Sequence, residues 1–279
     1  TQISALREGA QIVVGTPGRT LDLLERKKLK VDKIQTLVLD EADEMLSMGF
    51  KDELDAILAG TPENKQVLLF SATMPDEIRH IASKYMHSPQ EVSGGRANKS
   101  NEMITHYYYV VSAKDRYNAL KRIADVNPDI YAIIFCRTKA ETQEVADKLG
   151  HDGYNADALH GDLSQAQRDY VMNRFRKRQL QMLVATDVAA RGIHIDEVDV
   201  VIHFDPPADH KTYRHRAGRT ARAGTSGVVV TFCLWNQELE AKRLQKRIGL
   251  DQPIVEVFSN DPRLADLIAW NPAETEPAS

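Results

Sequence analysis

Short apolar runs alternate with longer amphipathic stretches along most of the chain. The runs are "QIVVG" (11–15), "TLVLD" (36–40), "VLLFS" (67–71), "HYYYVV" (106–111), "AIIFC" (132–136), "MLVAT" (182–186), "DVVIHF" (199–204) and "GVVVTF" (227–232). Helix-like stretches lie between them at 75–86, 114–126, 138–149, 164–177 and 236–248. Short apolar strands separated by helices predict an α/β fold whose parallel sheet is covered on both faces. The pattern lapses at "SGGRANKSNEM" (93–103), which reads as a linker, and residues 259–279, with three prolines and few core positions, read as a fraying acidic tail. Two blocks therefore flank one hinge, 1–92 and 104–258. The first has three clear strands against at least five in the second, and it opens inside a helix-like stretch, so it is expected to be truncated at its start.

Composition changes this picture little. At 279 residues and 42% hydrophobic, the chain can build two ordinary cores. No run approaches a membrane span, and the residues from Thr1 lack the basic-then-apolar profile of a secretory signal. Cys136 and Cys233 each sit in an apolar run, as expected of core thiols in a reducing compartment, with the cytoplasm as default. The net charge of −4 excludes a general polycation. Its distribution is uneven: residues 104–250 carry 22 basic and 18 acidic side chains, between two anionic ends, which permits a local polyanion contact.

The candidate chemistry clusters at strand ends. Asp40 and Glu41 follow the run 36–39, where a carboxylate can hold Mg²⁺ through its water shell and its neighbour can orient an attacking water. Those two residues alone fit a helix start equally well. "TPGR" (16–19) offers helix-terminal amides and a guanidinium suited to a phosphate, although by itself it is an ordinary strand-to-helix turn. "SAT" (71–73) supplies two hydroxyls. The strongest local signal is "YRHRAGRTARAG" (213–224), with Arg214, Arg216, Arg219 and Arg222 within nine positions. Guanidinium forks match phosphate oxygens, and in a helix Arg219 and Arg222 would project from neighbouring faces. "ALHGDLSQAQRD" (158–169) and "VATDVAARGIHI" (184–195) complete the set. His160 has no partner at zinc-ligand spacing.

The order of these motifs, TPGR, DEAD, SAT, IIFCRT, HGD with QxxR, ATDxAARG and HRxGRTxR, resembles that of the DEAD-box RNA helicases, with a bacterial flavour, over roughly residues 1–250. The resemblance implies two RecA-like domains joined by the linker, and an ATP-dependent RNA helicase that locally remodels RNA duplexes. By the same resemblance Asp40 coordinates Mg²⁺ through water and Glu41 activates the hydrolytic water. Arg219 and Arg222 act as arginine fingers, and Asp43, Ser71, Thr73 and His215 couple the nucleotide site to the second domain. RNA phosphates fall to Thr16, Pro17, Gly18 and Arg19 on the first block, and to Arg137, Gly161, Gln165, Arg168 and Thr186 on the second. Asp187 and Gly192, with Arg219 and Arg222, contact the nucleotide. RNA readout through the backbone is tolerant of sequence. ATP, Mg²⁺ and RNA are thus the expected ligands, with no membrane partner.

Two positions depart from the family pattern: His194 stands where Asp is usual, and Ala221 where Gly is usual, the latter expected to be a packing change. A larger departure is that no GxxxxGK[ST] and no glutamine-bearing adenine motif occurs in the 279 residues. The expectation is a fragment inactive by itself, the alternative being a non-catalytic RNA-binding scaffold derived from a helicase.

Overall fold

The computed structural model describes residues 1–92, 104–190, 198–221, 226–265 and 267. It divides into two compact units, Thr1–Ser93 and Gly94–Ser279.

In the first unit, α1 (Gln2–Arg7) and α2 (Pro17–Glu25) precede β1 (Thr36–Leu39), α3 (Ala42–Ser47), α4 (Lys51–Ala59), β2 (Gln66–Leu69) and α5 (Asp76–Tyr85). β1 and β2 pair in parallel, Thr36 opposite Gln66 through Leu39 opposite Leu69. Side chains alternate across this ribbon. Leu37, Leu39 and Leu69 pack on Ala42, Leu54, Leu58, Ile78 and Ile81 from the three following helices. Val38 and Leu68 face the other way and are exposed, so burial on both faces holds only for the second unit's sheet.

The second unit is built on seven parallel strands. In chain order its elements are β3 (Ile104–Val110), α6 (Arg116–Val126), β4 (Ala132–Phe135), α7 (Lys139–His151), β5 (Ala156–Leu159), α8 (Gln165–Arg176), β6 (Met182–Ala185), α9 (Asp187–Ala190), β7 (Val200–His203), α10 (His210–Ala217), β8 (Gly227–Cys233), α11 (Glu238–Ile248) and β9 (Ile254–Glu256). The sheet order is β5-β6-β4-β7-β8-β3-β9, and every pairing is parallel. The period of two sorts its side chains into two cores. Tyr108, Ile133, Leu183, Val201 and Val229 meet α8, α10 and α11 on one face. Tyr107, Ile134, Val184, Ile202 and Val230 meet α6 and α7 on the other. Each fully buried aliphatic side chain contributes roughly 1.5–3 kcal/mol, which makes this unit the better anchored of the two. Cys136 and Cys233 are free and buried, and burial pushes the Cys233 thiol up to about 12.

Four expectations change. The run 11–15 forms no strand: Ile12, Val13 and Val14 are exposed, and a strand exists only where its backbone groups find a ladder partner. The short strands β5 and β9 were not anticipated, β5 because "ADAL" carries a charge inside a four-residue run. Arg219 is not helical, since α10 ends at Ala217. A Cβ on the following Gly218 would lie 3.0 Å from the Arg214 carbonyl oxygen. Finally, the start of the expected tail is docked. Leu264 and Leu267 are buried, and the Tyr107 and Tyr109 hydroxyls donate to the Leu267 and Arg263 carbonyls at 2.5 and 3.2 Å.

Candidate active site and nucleic-acid interface

In the first unit the acidic motif sits at the carboxyl end of β1, beside the end of β2. The Ala42 amide donates to the Phe70 carbonyl, tying the two strand ends together. Glu41 occupies the left-handed region at φ 49°, ψ 47°, immediately before α3. A non-glycine residue there costs of order 1 kcal/mol, and such strain concentrates at working sites. The Glu41 amide donates to Asp40 Oδ1 at 3.0 Å, and both carboxylates are exposed. Asp43 is buried instead. Its Oδ2 accepts from the Thr73 hydroxyl at 2.6 Å and the Thr73 amide at 3.0 Å. Ser71 Oγ accepts from the Asp43 amide and donates to the Thr73 carbonyl at 2.6 Å. The structure thus joins Asp43, Ser71 and Thr73 in one closed hydrogen-bond cycle beneath Asp40 and Glu41.

Thr16 is the N-cap of α2, with Pro17 at the first helical position, and its side chain accepts no capping bond, which leaves the hydroxyl at a helix N-terminus. Arg19 is exposed and engaged with Gln2 and Asp22. Such a surface pair is weak and exchangeable.

In the second unit the predicted residues lie on turns after the carboxyl ends of neighbouring parallel strands: Arg137 after β4, Gly161 after β5, Thr186 and Asp187 after β6. Ser164 caps α8 in a reciprocal box with Gln167, which starts the helix carrying Gln165 and Arg168. Arg168 donates to the Ala189 carbonyl at 3.3 Å and Gln165 to Asp169 at 2.8 Å. Gly161 lies against Lys139, where a Cβ would come 3.3 Å from Cε. Thr186 is buried, and its amide donates to the Leu159 carbonyl. His215 lies in the last turn of α10. The Arg219 carbonyl accepts from the Val198 amide, and its own amide donates to Arg216. Arg222, Gly192 and His194 lie outside the described residues. Ala221 stands at φ 54°, so the usual glycine concerns backbone conformation there, rather than packing alone.

Two arginines, one buried and one half-buried, were missed as organisers of this surface. Arg216 is almost fully buried, forks onto both Asp187 oxygens at 2.7 and 2.8 Å, donates to the Asp205 carbonyl at 2.8 Å and covers the Phe135 ring. Asp187, expected at the nucleotide, is therefore held by Arg216. Arg116 bridges Asp205 and Glu141 at 2.7 and 2.5 Å. Burial, the hydrogen bond with Asp205 and its charge push Glu141 up to about 7, against the pull of Arg116. At Asp205 burial opposes the charge, but the Glu141 hydrogen bond and Arg116 outweigh it and hold the carboxyl below its ordinary value. Asp205 Oδ2 also accepts the Arg137 amide, which fixes the turn after β4. Periodicity gave no sign of these roles; an arginine flanked by Tyr213, Ala217 and Gly218 was the available hint.

Among the described residues no three His, Cys, Asp or Glu side chains form a metal cage. Mg²⁺ is commonly held by one or two carboxylates with substrate phosphates, which an exposed Asp40 beside a strand end suits. No helix of the described residues is long and apolar enough to cross a membrane.

Residues 1–81 match the family model described as DEAD/DEAH box helicase, and residues 115–224 match the helicase conserved C-terminal domain. An ATP-dependent RNA helicase, CshA, of Listeria monocytogenes is 47% identical over 231 residues, covering 83% of this chain and 44% of that protein. The DEAD-box ATP-dependent RNA helicase CshA of Geobacillus kaustophilus is 42% identical, covering 99% of this chain and 60% of that one. The chain thus spans about half the length of the curated relatives it matches. Among solved structures, S. cerevisiae Dbp5 bound to RNA and ADP BeF3 is 32% identical with a TM-score of 0.76, covering 92% of this chain and 70% of that one.

Proposed function

The chain belongs to the DEAD-box helicase family, and from that premise we propose that it supplies the hydrolytic acids and an RNA-binding surface of a cytoplasmic ATP-dependent RNA helicase. The observation that carries this reading is the cycle joining Asp43, Ser71 and Thr73 beneath Glu41. It ties the strand end that carries the acids to the neighbouring strand end, so a shift at one moves the other. Asp40 would hold Mg²⁺, which when bound would supply positive charge to the transferring phosphate. Glu41, fixed at its left-handed position, orients the attacking water and accepts its proton. Arg219 and Arg222 stabilise the charge that develops on the γ-phosphate. Thr16 to Arg19 on the first unit, and Arg137, Gly161, Gln165, Arg168 and Thr186 on the second, grip the RNA backbone. The glycine-rich, lysine-bearing turn for the β- and γ-phosphates is not among the 279 residues.

Binding of a labelled single-stranded RNA and of DNA of the same sequence tests the nucleic-acid part. RNA is expected to bind more tightly and with a steep salt dependence. Equal, weak and salt-independent binding of both would overturn it.

A further inference from the structure

In the seven-stranded sheet the chain leaves β4 toward β5 and leaves β7 toward β8, on opposite sides. Neighbouring strands whose connections diverge leave a crevice at their carboxyl ends, where open α/β sheets bind ligands. A cavity of about 280 Å³ lies at this place. Arg137 from the turn after β4, Pro206 and Pro207 from the turn after β7, and Arg243, Leu244 and Arg247 from α11 line it. Arg243 and Arg247 are one helical turn apart on one face of α11, and both are exposed.

The electrostatics are lopsided. Three guanidiniums converge on the cavity against one carboxylate, Glu240. Elsewhere in this unit arginines are engaged: Arg116 with Glu141 and Asp205, Arg174 with Asp157, Arg216 with Asp187. On α11 itself Lys242 pairs with Glu238. Among the described residues no carboxylate pairs with the guanidinium of Arg137, Arg243 or Arg247. Gln237 also lines the cavity and ends the 3₁₀ turn that begins at Trp235, a residue 79% exposed. Three arginines lining a cavity, with an exposed large aromatic two residues from a lining position, is the composition of a single-stranded nucleic-acid site, with the base stacked and the phosphate forked.

We propose that this crevice is a phosphate site for single-stranded RNA, with Arg243 and Arg247 joining Arg137 on the backbone and Trp235 stacking an adjacent base. The proposal rests on the RNA-binding reading above and extends its footprint onto α11, which none of the sequence motifs reaches. An acidic peptide is the competing occupant. The exposed indole and the position among the strand-end turns that carry the other RNA candidates favour the nucleic acid.

The test uses the 279-residue chain and a fluorescein-labelled oligouridylate of about 20 nucleotides, titrated from about 50 to about 300 mM KCl. Replacing Arg243 and Arg247 together with alanine removes two exposed side chains, and an unchanged circular dichroism spectrum checks the fold. Affinity is expected to fall on the order of 10-fold at the lowest salt, and the log–log salt slope by about 1.4, near 0.7 per lost contact. Arg243→Lys with Arg247→Lys restores most of the slope, because the charges remain. Trp235→Leu weakens binding and leaves the slope unchanged. If the alanine pair binds with unaltered affinity and slope while Arg168→Ala weakens binding, the crevice proposal fails and the RNA-binding reading stands. If the unaltered chain binds no RNA, both fall. Competition by polyglutamate of equal charge that disappears in the alanine pair would assign the crevice to an acidic protein and overturn the proposal.

Discussion

Replacing Arg216 with alanine tests whether a buried guanidinium organises the strand-end surface of the second unit. The side chain is 3% exposed and makes three kinds of contact. Loss of the Asp205 carbonyl's partner leaves a buried acceptor unsatisfied, at about 1–3 kcal/mol. Loss of the contact with the Phe135 ring, 4.9 Å away, costs about 1 kcal/mol. The fork to Asp187 counts for less than a fully buried pair, because that carboxylate is 28% exposed and can hydrate; about 1 kcal/mol is reasonable. Together these give a destabilisation of about 3–5 kcal/mol, or roughly 6–20 °C in melting temperature for a unit of this size. Urea unfolding of the full chain followed by circular dichroism, read at the transition of the second unit, measures it. Arg216→Lys keeps a charge and loses the fork, so about half the loss is expected. The double variant with Asp187→Asn gives the coupling, expected near 1 kcal/mol. A loss below about 1 kcal/mol in Arg216→Ala would refute the assignment.

Other expectations follow from the same contacts. Unfolding of the full chain is expected in two steps, with the first unit melting at lower urea because its sheet is a two-stranded ribbon with Val38 and Leu68 in water; a single coincident transition at all probes counts against this. Thr73→Val removes the hydroxyl that donates to Asp43 and should cost the first unit about 1–2 kcal/mol, measured on the lower transition. His106 is held neutral by burial, which lowers it to about 4. The unfolded chain therefore takes up the proton first, and stability of the second unit falls as pH drops from about 6.5 toward about 4, by about 3 kcal/mol from this group. His203 shifts in the same direction, whereas the raised Glu141 makes the fold more stable as pH falls through about 7. The difference between the unaltered chain and His106→Asn isolates the histidine, and a flat difference over that window refutes it.

The second unit's architecture was legible because its strands are continuous apolar runs, and burial on both faces requires just that pattern. β5 escaped because Asp157 interrupts it; Arg174 at 2.6 Å makes a charge tolerable there. The run 11–15 misled for the opposite reason: an apolar segment specifies a strand only when a neighbouring strand accepts its hydrogen bonds. At the site, Asp43, Ser71 and Thr73 were legible as a group only through their motif order, since a separation of some 30 residues leaves no local signal. The part played by Arg216 was hidden because the sequence cannot say which arginine of a basic cluster turns inward. Three-dimensional packing decides that, with Phe135 and Asp187 brought from far along the sequence to the ends of the paired strands β4 and β6.

In the proposed function Asp40 and Glu41 are the hydrolytic acids of an RNA-dependent ATPase. Joining the portion of the Geobacillus kaustophilus relative that this chain does not match to residues 1–279, and measuring ATP turnover with and without RNA, tests this most directly. Turnover stimulated by RNA is expected, abolished by Glu41→Gln with ATP-dependent RNA binding retained, and none in the 279 residues alone. Undiminished turnover in Glu41→Gln, or equal turnover by the 279 residues alone, would contradict it.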